Sequence, residues 1–448
     1  MRKIVVSFLS LFLGVIVFAG CRAIPPPAGE IIPSSSSSST SSTPPTSSQG
    51  LNLTSVAINP AASAAAAVGF STSSGQGTIL VSSGGIGSCG SGSGHFPCGT
   101  WKSPLSLPSS LLPLTSVAFD SSSTINSYGL AVGASDTMLA TTEPATSWST
   151  VTPSFTCSTN TPVSLTGTSF SGVSIFGAQV DQNPAIIVGG PYSDSCSAAN
   201  ATTGLIAVTT TQSFPYSQWE VIDQYSANGS LQQIPDANFT GASFAQGGTT
   251  SNYALVVGYN QSTGYIFQGD TETGLANDST VSNNSWSLSD SVSGAQFNGV
   301  ALSAFSGAGS GAVVVGNNGV IYMNPAVGSP TSTWTQVPIN DLPTQAQTAN
   351  FMGVHFSSGS STSVVVVGNN GANSPIILFI TNCCNTNNIT SSNIIDETPS
   401  ITNLTGLFGI WGEGNGTTLA AGNNGFILEN DNGGNSSTTP WFQVNPAQ

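Results

Sequence analysis

The stretch "VVVGNNG" occupies residues 313–319 and returns at 365–371, and a softer copy, "LAAGNNG", fills 419–425. Gly316, Gly368 and Gly422 are therefore 52 and 54 residues apart. In each copy an apolar run stops at glycine. After the Asn-Asn-Gly the apolar character resumes at Val320-Ile321, Ile376-Ile377 and Phe426-Ile427. Short apolar runs on both sides of Asn-Gly read as two strands joined by a tight turn, because Asn and Gly tolerate the positive φ such turns demand. Gly316, Asn317, Asn318, Gly319, Gly368, Asn369, Asn370, Gly371, Gly422, Asn423, Asn424 and Gly425 are thus repeat turn residues.

Working outward, each hairpin belongs to a longer unit. A large apolar residue, any residue, Gly or Ser, an apolar residue, any residue and an apolar residue precede it. This pattern appears as Leu53-Thr-Ser-Val-Ala-Ile58, Leu114-Thr-Ser-Val-Ala-Phe119, Phe170-Ser-Gly-Val-Ser-Ile175 and Phe239-Thr-Gly-Ala-Ser-Phe244. It continues as Phe297-Asn-Gly-Val-Ala-Leu302, Phe351-Met-Gly-Val-His-Phe356 and Leu404-Thr-Gly-Leu-Phe-Gly409. A second apolar run ends at Gly69, Gly133, Gly189, Gly258, Gly316, Gly368 or Gly422, and a third follows it. A fourth element opens with Trp101, Trp148, Trp219, Trp286, Trp334 or Trp441, and Ile394-Ile395 takes that place in the sixth unit. Trp411 alone is out of phase.

Four short strands per unit and seven units predict an all-β fold, a seven-bladed β-propeller of four-stranded antiparallel blades over 51–448. The Gly or Ser of the first strand suits the crowded centre. The Trp of the outer strand suits the wide gap between blades at the rim. In this phase the ring closes without exchanging a strand, on side-chain packing of unit one against unit seven.

Composition agrees with strands and excludes several functions. Charged residues are 5% of the 448-residue chain, and the net charge is −15. Counted from Cys21, two cations (Arg22, Lys102) face 19 acids, or 2 − 19 = −17. Two cations cannot neutralise a phosphate backbone, so nucleic acid is not a partner. The same shortage argues against clamping a carboxylate or phosphate substrate.

The N-terminus reads as an export address. Arg2 and Lys3 precede an apolar stretch from Ile4 to Phe18, which is shorter than the ~20 residues a spanning helix needs. Residues 1–20 are therefore expected to be a signal peptide. Phe18-Ala19-Gly20-Cys21 resembles the lipobox of bacterial lipoproteins. The resemblance implies that Cys21 is the lipidated first residue of the mature protein, on the cell envelope. Arg22, where Asp would mark inner-membrane retention, points to the outer membrane. Residues 21–50 hold the lipidated Cys and a Ser/Pro/Thr-rich stretch with little to bury, expected to be a disordered tether.

The run "AVVVGNNGVIYMN…TSTWTQV" at 312–337 resembles the repeat of photosystem II assembly-factor-like propellers, within the wider sialidase-like BNR (Asp-box) class. The similarity spans 51–448 and is strong in units five to seven. Asp431, Gly433, Gly434 and Trp441 keep a loosened form of the Asp box. The resemblance implies a seven-bladed propeller and leaves function open, because propellers host unrelated sites.

No catalytic pattern emerges. A sialidase needs an arginine cluster, and no arginine follows Arg22. Asp181, Glu220, Asp236, Glu272 and Glu413 are carboxyl candidates without a motif that pairs them. His95 sits in a Gly-rich loop. His355 lies in a first strand, with Ala57, Ala118, Ser174, Ser243, Ala301 and Phe408 as its equivalents. No metal-ligand or phosphate-loop pattern is present, and no cofactor is expected. Disulfide candidates in an exported chain are Cys89, Cys98, Cys157, Cys196, Cys383 and Cys384. Cys89 pairs most simply with Cys98 across one loop. Cys157 and Cys196 are expected to staple units two and three. Adjacent Cys383 and Cys384 form a vicinal disulfide, pair elsewhere or stay free.

The expected function is non-catalytic: an envelope lipoprotein whose propeller binds a protein or neutral glycan, or scaffolds an assembly. The alternatives are a divergent glycan-active hydrolase or lyase, and a surface adhesin or coat protein. The expected platform is the face carrying the turns between second and third strands and the connections between units.

Overall fold

The computed structural model describes residues 50–444, apart from 60–63, 84–99, 121–127, 176–183, 194–195, 197–201, 210–213, 245–252, 271–284, 304–309, 328–332, 358–361, 372–373, 385–388, 413–416 and 431–440. Seven sheets follow one another along the chain. Their first strands are Leu51–Asn59, Leu114–Phe119, Phe170–Ile175, Asn238–Phe244, Phe297–Leu302, Asn350–Phe356 and Leu407–Gly412. Each first strand packs against the first strand of the next sheet, and the last packs against the first. The cycle is closed, and the sheets are the blades of a seven-bladed propeller. Every sheet uses strands of its own stretch of chain, so no strand is exchanged at closure.

The core is divided accordingly. Seven buried apolar clusters each fill one seam between successive blades. Six hold an outer-strand tryptophan, and Ile394 stands there in the seam between blades five and six. The closing seam joins Leu53, Val56 and Trp101 of blade one to Leu419, Ala421 and Ile427 of blade seven, built like the other six.

Blades three and four depart from four strands. A hairpin, Ser154–Thr156 with Pro162–Val163, adds to blade three, parallel to its outer strand Gln218–Val221. A second hairpin, Gln224–Ala227 with Ser230–Gln233, adds to blade four in the same way. These additions correct the expected disulfide geometry. Cys157–Cys196 is formed, with Cα atoms 5.6 Å apart, but both ends belong to blade three. Cys157 lies in the turn of the added hairpin, which leaves blade two in sequence and joins blade three in space. Cys89 and Cys98 lie outside the described residues, as do Asp431, Gly433 and Gly434 of the loosened Asp box.

The seventh unit is read three residues out of register in the sequence. Leu407, not Leu404, pairs with Gly422, as Phe351 pairs with Gly368. Leu407-Phe-Gly409-Ile-Trp-Gly412 is therefore the true counterpart of the six other first strands. Trp411 consequently falls at the position of His355, and Phe408 does not.

Candidate functional site

All seven first strands carry the same irregularity. Register slips by one residue between Leu53 and Ser55, Leu114 and Ser116, Phe170 and Gly172, and at the equivalent four pairs of the other blades. One residue is bulged out of each ladder: Thr54, Thr115, Ser171, Thr240, Asn298, Met352 and Phe408. A bulge bends the strand and brings its backbone close to the partner. This explains the glycines that close the second strands. A Cβ on Gly69, Gly133, Gly189, Gly258, Gly316, Gly368 or Gly422 would collide with the carbonyl oxygen of Asn52, Pro113, Ser169, Asn238, Gln296, Asn350 or Gly406.

The bulged side chains also manage an exposed edge. The first strand is the innermost of its sheet, so half its backbone groups have no partner in the blade. The preceding blade supplies one. Thr54 Oγ1 donates to the Leu114 carbonyl at 2.9 Å, Thr115 to Phe170 at 2.7 Å, and Thr240 to Phe297 at 2.8 Å. Asn298 Nδ2 donates to the Phe351 carbonyl at 2.8 Å. Edge N–H groups are met from the same side. The Val117 N–H donates to Ser55 Oγ at 3.3 Å, Val173 N–H to Ser116 Oγ at 3.2 Å, and Leu302 N–H to Ser243 Oγ at 3.1 Å. The sequence pattern leaves the bulged position as "any residue", although five of the seven are Thr, Ser or Asn.

His355 takes the place of Ser243 in this scheme. Its Nδ1 lies 3.1 Å from the Gly412 N–H and 2.8 Å from the Phe356 carbonyl. The ring stands against Trp411, with centroids 4.9 Å apart. Burial pulls the imidazole down to about 4, and its contact with the Phe356 carbonyl opposes that shift. Five first strands keep Ala or Ser at this position, while blades six and seven place this aromatic pair there.

The GNNG turns join the blades as well. Asn318 and Gly319 have φ of 57° and 72°, and Asn424 and Gly425 have 55° and 70°. Both pairs are the centre of a type I′ hairpin turn. The Gly319 N–H donates to the Ala349 carbonyl, and the Gly425 N–H to the Leu51 carbonyl, each at 2.8 Å. Ala349 and Leu51 both stand two residues before the bulge-flanking Phe351 and Leu53. Blade two does the same without Asn or Gly, through the Asp136 N–H and the Thr168 carbonyl at 2.7 Å. The copy at 368–371 differs. Asn369 stays in the ladder opposite Pro375, and Asn370 closes a longer turn with Ser374. The expected tight turn fails there because Ala-Asn-Ser-Pro follows and Pro375 starts the next strand.

Around these turns, amide side chains are held by neighbours of their own blade, in blade five and again in blade seven. Asn298 Nδ2 donates to Asn317 Oδ1 at 2.7 Å, and Asn317 Nδ2 to Gln296 Oε1 at 2.6 Å. Asn423 Oδ1 accepts from the N–H groups of Thr405 and Gly406 at 3.1 and 3.2 Å, while its Nδ2 donates to the Thr405 hydroxyl. Asn424 Nδ2 donates to the Asn403 carbonyl at 2.9 Å. Asn318, Asn403 and Thr405 are exposed, and Asn350, Asn369 and Asn370 are half-buried. These neighbouring amides and hydroxyls carry no charge.

Of the carboxyl candidates, only Glu220 and Asp236 fall among the described residues. Glu220 is buried in the outer strand of blade three and Asp236 is exposed between blades. Asp181, Glu272, Glu413 and His95 lie outside the described residues. Cys383 and Cys384 are both thiols, with sulfurs 3.2 Å apart.

No family model matches the chain. No curated protein sequence matches it. Solved structures do resemble it. YCF48 bound to D1 peptide superposes with a TM-score of 0.49 at 13% identity, over 85% of this chain and 92% of that one. YCF48 from Cyanidioschyzon merolae gives 0.48 at 11% identity, over 85% and 95%. The Cps50 (Swd1) β-propeller domain of Myceliophteria thermophila gives 0.45 at 10% identity, over 83% and 94%. The propeller itself stands on the closed cycle of first strands described above.

Proposed function

We infer that this chain is a non-catalytic lipoprotein of the outer membrane, and that its turn face in blades five to seven holds an uncharged, extended segment of a protein partner. The observation that carries the reading is two sets of bonded amides on this face, Gln296, Asn298 and Asn317 in blade five and Asn403, Asn423 and Asn424 in blade seven. Amides fixed by their neighbours present donors and acceptors without further ordering, which lowers the entropic cost of binding. An extended peptide offers the matching N–H and C=O groups. The absence of charge among these residues favours a neutral partner.

The lipobox-like Phe18-Ala19-Gly20-Cys21 supports the anchor. The ring is entered at Leu51, whose carbonyl accepts from the Gly425 N–H of blade seven.

A photo-crosslinking residue at Asn318, Asn403 or Asn424, in cells of the source organism, tests the site. The expected result is a protein crosslink at these positions and none at Ser149, on the outer strand of blade two. Crosslinks at Ser149 alone overturn the site. Capture of a neutral glycan by the same residues replaces the protein reading. Loss of fatty-acid labelling in Cys21→Ser tests the anchor separately.

A further inference from the structure

Cys383 and Cys384 are neighbours in sequence, in the connection between the third and outer strands of blade six. Their sulfurs are 3.2 Å apart, inside the contact distance of two unbonded sulfur atoms. The two environments differ. Cys383 is fully buried in the apolar seam between blades five and six, and its N–H donates to the Thr362 carbonyl at 2.8 Å. Cys384 is half-buried and accessible at the edge of that seam. Across the seam, blade five presents Gly311. A Cβ there would stand 2.6 Å from Cys384 Sγ, so the glycine makes room for this sulfur.

We propose that Cys383 and Cys384 are a two-electron redox site that closes reversibly into a vicinal disulfide. The oxidant is an external disulfide, either a small one or that of a thiol oxidase. Cys384, as thiolate, attacks one of its sulfurs and displaces the other as a thiolate, which leaves a mixed disulfide on Cys384. The Cys383 thiol then gives up its proton, and its sulfur attacks Cys384 Sγ. The second external thiolate leaves. Two thiols of this chain are oxidised, and one external disulfide becomes two thiols. The distance between the sulfurs is that of a reactant pair already in place for the second step.

The division of labour follows from burial. The accessible thiol meets the oxidant and the buried one resolves the intermediate. The neighbouring Cys384 thiol and then burial push the Cys383 thiol upward, so it stays protonated at rest. Reversibility follows from spacing. Adjacent α-carbons are about 3.8 Å apart, whereas disulfides prefer roughly 4.4–6.8 Å, and strained disulfides are reduced more readily. Cys157–Cys196, with Cα atoms 5.6 Å apart, lies within that range.

The test uses the full chain, treated with oxidised glutathione, quenched with acid, alkylated and cleaved with chymotrypsin. Mass spectrometry then reads the peptide that spans 383–384. The expected product has lost two hydrogens and takes no alkyl group. A mild reductant restores both alkylation sites while Cys157–Cys196 stays closed. Cys383→Ser is expected to retain a glutathione adduct on Cys384 that the unaltered chain does not keep. Two alkylatable thiols after oxidation, a lasting adduct on the unaltered chain, a crosslink between two molecules, or reopening only together with Cys157–Cys196 would each overturn the proposal.

Discussion

The Thr115 hydroxyl of blade two donates to the Phe170 carbonyl of blade three at 2.7 Å, and also lies 3.1 Å from the Val132 carbonyl of its own blade. One bulged side chain thus ties the seam where neither sheet can continue its ladder. Thr115→Val keeps the shape and removes the bond. It leaves the Phe170 carbonyl without this donor, so urea unfolding should show a loss of about 1–2 kcal/mol. Thr115→Ser should recover most of it. Equal losses in both variants would mean that the methyl group, and not the hydroxyl, holds the seam.

The second-strand glycines should be less forgiving. Gly316→Ala sets a methyl group against the Gln296 carbonyl, which is backbone and cannot swing aside. Overpacking of this kind costs about 1–3 kcal/mol. Gly75→Ala is a contrasting case, since nothing lies within 4 Å of a Cβ there and its φ of 69° alone opposes the change. Thermal unfolding should rank Gly316→Ala well below Gly75→Ala.

His355 makes stability depend on pH. Its folded imidazole is held at about 4, against an ordinary 6.5. Between these values the unfolded chain binds more protons, so stability falls as pH drops from 6.5 to 4 and is not lost further below that. At ~1.4 kcal/mol per pH unit the contribution is about 3 kcal/mol at most. Denaturation of the unaltered chain and of His355→Gln at pH 7 and pH 4.5 measures it. The gap between them should narrow at the lower pH.

Cys157–Cys196 closes a separation of 39 residues, for which chain entropy gives about 4 kcal/mol as an upper figure. Cys196→Ser should release the added hairpin from blade three. Faster amide exchange is expected over 154–163, while 312–337 in blade five stays unchanged. Uniform acceleration across the chain would show that the bond supports the ring as a whole.

Much of the ring is legible before any coordinates, because propeller blades repeat and repetition exposes period, strand order and rim tryptophans together. What escapes is what the repeat conceals. The bulged position reads as variable, since Thr54, Asn298 and Met352 share no single chemistry, yet its backbone role is constant. The added hairpins of blades three and four lack the apolar alternation of the other strands, so Gln224–Ala227 and Ser230–Gln233 pass for loop. Leu404-Thr-Gly imitates the opening of a first strand and hides the true start at Leu407. The seam bonds join residues such as Asn298 and Phe351 that are distant in the chain, and no local pattern announces them.

The seam bonds share a direction: in each pair described, a side chain of one blade serves the backbone of the next. At closure the Gly425 N–H of blade seven serves Leu51 of blade one in the same sense. The ring therefore has no chemically privileged starting point. A chain cut between blades one and two, with its present ends joined by a short linker, carries the same complementary surfaces in the same order. Such a permuted sequence should fold to the same propeller.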